Sequence, residues 1–404
     1  DGYPMTRQGR AGVALFVTTI GSFIGGSFAI LLLILFAPML ADVAISFSAA
    51  DYFSIMLLAL TAASTLGVGS PLKGLAMVVF GLALGLVGTD LNSGQFRFTF
   101  GIPALADGIN LVALAMGLFG VAEILNTVVS GHMPQLDSTR ITLRSMLPTK
   151  QDMKEFWPSC ARGSLVGSFL GTLPGTGPTI AAFVSYALEK KISRNPEKFG
   201  KGAIEGVTGP ETANNASVQA AFIPTLTLGV PGDAIMAVMI GGLLIHGVTP
   251  GPQLISENPQ LFWGVVASFW VGNVMLLILN LPLIGIWVRL LSIPYRVLFP
   301  AVLFLISIGV YSVNNSTFDV LLTFGFGLLG FWLSRRGYPS APLLLGFVLG
   351  PLIEENFRRA LLLADGNLTT FVQRPVSLAF LVITAMLLIL AAVSQHILSR
   401  RSKS

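Results

Sequence analysis

Glycine and threonine residues cluster in the short segment 171–179, which reads GTLPGTGPT. Threonine hydroxyls donate hydrogen bonds, and a glycine lets a ligand approach the backbone N–H groups closely because it has no side chain. A helix that starts in such a segment presents its free N–H groups and the positive end of its dipole to an anion. The candidate residues for binding a carboxylate here are Thr172, Pro174, Gly175, Thr176, Gly177 and Thr179.

A second polar interruption covers 210–233, which reads PETANNASVQAAFIPTLTLGVPGD. Amide and hydroxyl oxygens, together with carbonyl oxygens freed by proline and glycine, are ligands that suit Na⁺. We expect Asn214 and Asn215 to contribute to the carboxylate site. The predicted cation ligands are Asn215, Thr225, Thr227, Gly229, Pro231, Gly232 and Asp233. Simpler roles remain open, because asparagines also bond neighbouring helices and aspartates also cap helices.

The overall composition is that of a membrane protein. Of the 404 residues, 53% are hydrophobic and only 11% are charged, whereas charged residues make up about 25% of a soluble domain. We therefore expect an all-α polytopic membrane protein embedded in the lipid bilayer. The formal net charge of +5 is then a signal of topology, and no nucleic-acid partner is expected. The single cysteine, Cys160, excludes a disulfide within the chain.

Lysine and arginine residues indicate which loops face the cytoplasm. Basic loops at 140–154 and 190–201 flank the segment 158–189, so this segment must enter and leave the membrane on the same side. We predict that it is a re-entrant hairpin whose helix-breaking turn lies at 173–178. Three arginines do not fit this charge pattern, namely Arg358, Arg359 and Arg374.

The stretch that follows the hairpin is predicted to be a broken transmembrane helix at 203–246. Its halves are expected at 203–228 and 233–246, because the proline and glycine residues between them cannot continue a helix. An anion site at the hairpin and a cation site at this break would together provide what a cation-coupled carboxylate symporter requires.

Two pairs of similar segments indicate an internal repeat. SFIGGSFAILLLI at 22–34 resembles SFWVGNVMLLILN at 268–280, and VFGLALG at 79–85 resembles TFGFGLLG at 323–330. The loop after the first copy is acidic and the loop after the second copy is basic, so the positive-inside rule predicts opposite orientations. Inverted repeats are typical of secondary transporters that bind their substrate near the membrane midplane.

The predicted domains are therefore a first repeat at 1–133, a cytoplasmic basic linker at 134–154 and a second repeat at 155–404. The second repeat contains the hairpin at 158–189 and the broken helix at 203–246. The first repeat has no counterpart of the hairpin, so we expect about 100 further residues upstream of Asp1.

Several long motifs resemble one known family. They are GTLPGTGPTIAAFVSYALEKK, PEKFGKGAIEGVTGPETANNA, FIPTLTLGVPGDAIMAVMIGGLLIHGVTPGPQL, DGYPMTRQGRAG and TDLNSGQFRFTFG. They resemble the large membrane subunit of the tripartite tricarboxylate transporters across essentially the whole chain. The resemblance implies a protein of the bacterial inner membrane, cation-driven uptake, a small membrane subunit and a periplasmic solute-binding protein. The chain departs from the family in lacking the N-terminal hairpin, which should carry a partner Leu-Pro-Gly loop.

The function expected from these features is that of the large transmembrane subunit of a binding-protein-dependent, cation-coupled uptake transporter for a tricarboxylate or another carboxylate. Na⁺ is the favoured coupling ion and H⁺ is the alternative, and no other cofactor is expected. A non-transporting scaffold subunit and an anion channel are the competing interpretations. No enzymatic activity is expected, because the chain has no His-rich or paired-Asp motif. The sequence names no particular substrate, and it leaves a homo-oligomer open.

Overall fold

The computed structural model describes residues 1–65, 70–90, 93–130, 146–173, 176–283 and 295–401, without the side chains of 295–296 and 394–401. The helices in the first half of the chain are α1 (Gly2–Arg7), α2 (Ala11–Ile45), α3 (Ala49–Thr65), α4 (Pro71–Gly85), α5 (Leu111–Ser130), α6 (Lys150–Gly171) and α7 (Gly177–Ile192). Those in the second half are α8 (Glu205–Leu228), α9 (Ala234–Ile245), α10 (Pro252–Glu257), α11 (Pro259–Asn280), α12 (Tyr295–Asn314), α13 (Thr317–Arg335), α14 (Ser340–Leu363), α15 (Thr370–Gln373) and α16 (Pro375–Arg401).

These helices confirm the predicted class of all-α polytopic membrane protein. Among the described residues, six helices are long and apolar enough to cross a bilayer, namely α2, α5, α11, α12, α13 and α16. Helices α3, α4 and α9 are apolar but shorter, and a straight crossing requires about 20 residues. A two-residue strand pair, β1 (Gly88–Thr89) with β2 (Phe96–Arg97), lies in the loop between α4 and α5.

The helices form two compact units, and the boundary between them falls inside the predicted broken helix. The first unit contains α1, α2, α6, α7, α8, α10 and α11. The second contains α3, α4, α5, α9 and α12 to α16. At the break after α8, Gly232 is the last residue of the first unit and Asp233 belongs to the second. Each unit draws on both halves of the chain, and the predicted repeats at 1–133 and 155–404 stay a prediction about internal symmetry.

Helix α8 is the centre of the first unit, where it packs against α2, α6 and α7. Three glycines of α6 face it at intervals of four residues, Gly163, Gly167 and Gly171. A Cβ atom on any of these would overlap backbone carbonyl groups of α8, so the two backbones are in direct contact. The contacts advance from Gly209 to Ser217 along α8, so the two helices run parallel. Small residues allow this close approach, which is a common mode of helix association in membranes.

The contact between α8 and α2 follows the same rule. Gly21 and Gly25 of α2 lie against Thr212 of α8, and a side chain at either glycine would overlap that threonine. On its opposite side α2 is bonded to α11, because the Asn273 amide donates to the Phe23 carbonyl (3.0 Å) and to the Ser27 hydroxyl (2.9 Å). Small residues therefore allow α2 to approach α8 closely, as they do between α6 and α8.

Ion pairs in the second unit account for two of the arginines that did not fit the charge pattern. Arg374 Nε lies 3.1 Å from the Asp51 carboxylate, which is 1% exposed. Arg358 bonds both Asp90 (3.2 Å) and Glu354 (2.6 Å). Both of these arginines are therefore paired with acids of the same unit.

Candidate substrate and cation site

The first arm of the hairpin, α6, begins at Lys150 rather than at the predicted residue 158. Thr149 and Asp152 form a capping box, in which the Thr149 hydroxyl accepts from the Asp152 N–H (3.2 Å) and the carboxylate accepts from the Thr149 N–H (2.9 Å). The predicted linker at 134–154 is thus helical at its end, while 134–145 lies outside the described residues. Burial opposes ionisation of Asp152, but bonds from Thr149 and Arg10 outweigh it and hold the pKa of this carboxyl below its usual value.

A buried ion pair joins the two arms of the hairpin. Arg162 of α6 donates from Nε to the Glu189 carboxylate of α7 at 2.8 Å, and a second guanidinium nitrogen bonds the other oxygen. The Glu189 side chain is 1% exposed, so removing Arg162 would leave a buried carboxylate without its partner. Neither residue is among the candidates that the sequence motifs indicate. Charged side chains on both arms of an otherwise apolar hairpin are the signal that could have found them.

The threonines at the hairpin tip, residues 172–176, bond the end of α6. The Thr172 hydroxyl donates to the Phe169 carbonyl at 2.8 Å. The Thr176 hydroxyl is bonded to the carbonyls of Leu170 and Leu173, and this residue is 5% exposed. Backbone N–H groups also bond the Leu170 and Leu173 carbonyls, so the Thr176 hydroxyl adds a second donor to each. Pro174 and Gly175 lie outside the described residues.

The start of α7, where the sequence predicts a carboxylate site, has no side-chain cap from Thr176. Gly177 has a φ of +65°, in the left-handed region that favours glycine. The preceding residue, Thr176, makes no side-chain cap bond to the first turn. Pro178 has no N–H group, so it removes one donor from that turn. Thr179 is exposed. Because Thr176 makes no cap bond, the remaining N–H groups of the first turn are not bonded by the cap residue's side chain.

The predicted ligands within α8 are engaged in bonds inside the first unit. The Asn215 amide donates to the Ser22 hydroxyl of α2 at 2.7 Å and to the Glu211 carbonyl at 3.2 Å. The Thr225 and Thr227 hydroxyls, both fully buried, donate at 2.6 Å to backbone carbonyls one turn earlier in α8. Asn214 is half-buried. The bond from Asn215 to Ser22 matches the open alternative of interhelical bonding.

The break after α8 is built by Gly229, which ends the helix with a φ of +67°. Its Cα packs against the Pro250 carbonyl, which a Cβ atom would approach to 2.9 Å. The Gly251 N–H donates to the Leu226 carbonyl at 3.0 Å, so a carbonyl at the end of α8 is bonded by the segment that contains Pro250 and Gly251. The break loop, residues 229–232, is therefore held in place from within the first unit.

The two helix interruptions meet at Gly232. A Cβ atom on Gly232 would lie 3.5 Å from the Gly171 carbonyl oxygen, at the end of α6, and 3.3 Å from the Ala221 side chain of α8. The structure thus brings the hairpin tip and the break loop together. Asn215 lies six residues before Ala221, about 9 Å closer to the start of α8, so it is not part of this junction. Pro231 is buried in the same loop.

Asp233 caps α9 with one carboxylate oxygen, and its other oxygen has no hydrogen-bond partner among the described residues. Oδ1 accepts from the Met236 N–H at 2.9 Å, as expected of an N-cap residue. Oδ2 is buried and has no hydrogen-bond partner among the described residues. The capping role is therefore observed, and a carboxylate oxygen remains available for the cation role that the sequence predicts.

Comparison with known proteins decides the family. A family model described as the tripartite tricarboxylate transporter TctA family matches residues 1–345. The chain belongs to this family. It therefore acts in tricarboxylate transport as the large subunit, alongside the partner proteins that a tripartite TctA-family system implies. The motif-based recognition of the family is confirmed.

Two similar proteins come from Agrobacterium vitis. One, described as an uncharacterized 52.8 kDa protein in the TAR-I ttuC′ 3′ region, is 48% identical over 403 residues, which covers 100% of this chain and 80% of the relative. The other, a protein in the TAR-II ttuC′ 3′ region, is 54% identical over 225 residues, covering 56% of this chain and 93% of the relative. No solved structure matches the chain.

Proposed function

We propose that this TctA-family chain is the subunit that carries a tricarboxylate or a similar carboxylate across the bacterial inner membrane, coupled to a cation. The supporting observation is the meeting of two helix interruptions at Gly171 and Gly232, within an otherwise close-packed unit. Irregular backbone inside a membrane protein is tolerated where it lines a cavity or is buried in protein. In secondary transporters such interruptions form the substrate and ion sites.

The carboxylate is proposed to bind at the start of α7. The first turn of this helix has no acidic residue and no side-chain cap, so its dipole is not compensated locally. Gly177 lets a carboxylate approach the backbone, as in other helix N-terminal anion sites. Because the Thr172 and Thr176 hydroxyls already donate to α6, the backbone N–H groups are the principal donors in this proposal.

The coupling ion is proposed to be Na⁺, with H⁺ as the alternative. The side-chain ligand proposed for it is the unbonded oxygen of Asp233. In the first unit, Pro224 has no N–H group, so the Ala220 carbonyl lacks its usual helix donor. Carbonyl and carboxylate oxygens are ligands that Na⁺ accepts.

The proposed partners are a small membrane subunit and a periplasmic solute-binding protein, which delivers the carboxylate. The test is uptake of radiolabelled citrate into proteoliposomes that contain the full-length transporter with both partners. We expect accumulation above equilibrium only with an inward Na⁺ gradient and with binding protein present. Equilibration without any gradient would indicate an anion channel, and uptake that persists when this subunit is omitted would indicate a scaffold.

A further inference from the structure

Glu211 is a carboxylate on the central helix that no proposed role has used. It lies in α8, two residues after Gly209 and one turn before Asn215. No hydrogen bond or ion pair to its carboxylate occurs among the residues that the structure describes. An ionisable side chain within a membrane-embedded helix is costly, and such residues mark ion pathways and proton relays.

Three other acids of the first unit have bonding partners among the described residues, unlike Glu211. The Glu189 carboxylate pairs with Arg162, and the Asp152 carboxylate pairs with Arg10 at 2.7 Å. The Asp1 carboxylate accepts backbone N–H bonds from the loop at 200–203 and a bond from Tyr186. These acids hold the fold together at the end of the unit where α6 and α8 begin. Glu211 performs no such task in the described structure.

The contacts of α8 show which of its faces carries Glu211. Gly209, Ala213 and Ser217 recur at every fourth residue and lie against α6, with Gly209 also against Glu189 of α7. Thr208, Thr212 and Asn215 form the face against α2. At helical periodicity the remaining face carries Glu211, Asn214 and Val218, at i, i+3 and i+7. All three are half-buried, so this face is not filled by α2, α6 or α7.

The same face leads to the junction of the two interruptions. Ala221 and Thr225 continue the series after Val218. A Cβ atom on Gly232 would contact Ala221, and the Thr225 hydroxyl lies 3.4 Å from the Val230 carbonyl. Glu211 is ten residues before Ala221, about 15 Å away along the helix axis. A cation held at Glu211 would therefore stand on the helix face that ends at the break loop.

We propose that Glu211, together with Asn214, is a binding station for the coupling cation on its way between the break loop and the cytoplasmic side. The ionised carboxylate and the amide oxygen one turn later provide two hard oxygen ligands for a monovalent cation. When the cation leaves, the bare carboxylate repels the anionic substrate. This station rests on the proposed cation coupling and adds to it a residue remote from the substrate site.

The test compares Glu211→Gln with Glu205→Gln, a matched substitution at the start of the same helix. Both variants are measured in the full-length transporter with its partners, as Na⁺-driven citrate accumulation and as citrate exchange at equal Na⁺ on both sides. We expect Glu211→Gln to reduce Na⁺-driven accumulation by at least about tenfold, the loss typical of one ligand to a charge. Exchange should stay within about twofold of the wild type, and Glu205→Gln should change neither rate.

The outcomes separate this inference from the proposed function. Wild-type uptake that does not depend on Na⁺ or on a pH gradient contradicts the proposed function itself. Cation-dependent wild-type uptake with an unchanged Glu211→Gln variant overturns the role of Glu211 alone, as does an equal loss in Glu205→Gln. If Glu211→Gln does not reach the membrane, Glu211→Asp is the second variant. A shifted Na⁺ midpoint in Glu211→Asp supports the station, and a wild-type midpoint rejects it.

Discussion

Two helices begin at interruptions of the apolar chain, α7 at the hairpin tip and α9 after the break loop, and their first turns differ in charge. The start of α7 has Thr176 at the cap position without a side-chain bond and has no acidic residue. The start of α9 is capped by the Asp233 carboxylate. The positive dipole end is uncompensated in α7 and neutralised in α9. Two similar breaks are thus suited to ligands of opposite charge.

The largest expected effect comes from removing the left-handed residue at the start of α7. Gly177→Val places a β-branched side chain at a φ of +65° and blocks approach to the N–H groups. We expect transport to be abolished while the protein remains in the membrane. Gly247→Val is the matched control, because Gly247 has a φ of +72° with open space around its Cβ position. If both variants lose transport equally, strain rather than anion access is the cause.

The next effect tests the charge at the start of α9. Asp233→Asn keeps a good N-cap residue but removes the charge. We expect a tenfold or greater rise in the Na⁺ concentration for half-maximal uptake, roughly the loss of one charged ligand, with little change in the thermal midpoint. Asp233→Ala should additionally cost about 1 kcal/mol of stability through loss of the cap. An Asp233→Asn variant with a normal Na⁺ dependence would leave Asp233 with the capping role alone.

The helix interruptions that define this comparison could be predicted from the sequence, because proline and glycine act locally. The turn at 173–178 and the break between 228 and 233 agree with the helix ends at Gly171 and Leu228. The start of α6 at Lys150, before the predicted residue 158, also has a local signal in the sequence, which is the Thr149–Asp152 capping box. The pairing of Arg162 with Glu189 could not be predicted, because it depends on how two distant turns face each other. The same holds for the meeting of Gly171 with Gly232.

A smaller effect is expected for the threonine at the tip. The sequence alone favours Thr176 as a donor to substrate, but its hydroxyl is bonded to the carbonyls of Leu170 in α6 and Leu173 in the tip. Thr176→Val should therefore reduce stability by about 1 kcal/mol and leave the citrate midpoint within about threefold of the wild type. Thermal unfolding in detergent and an uptake titration measure the two quantities. A tenfold or larger shift of the citrate midpoint at unchanged stability would restore the direct role in binding.

The smallest effect concerns Asn215, whose amide joins α8 to α2 through Ser22 at 2.7 Å. Interhelical hydrogen bonds of this kind contribute about 0.6 kcal/mol on average in membranes. Asn215→Leu and Ser22→Ala should each lower stability by a similar small amount, and the double variant should lose less than their sum because both remove the same bond. The Na⁺ and citrate midpoints should not move in any of the three. A Na⁺ midpoint shifted by Asn215→Leu but not by Ser22→Ala would show instead that the amide contacts the cation, which would extend the cation site down α8 from the break loop toward Glu211.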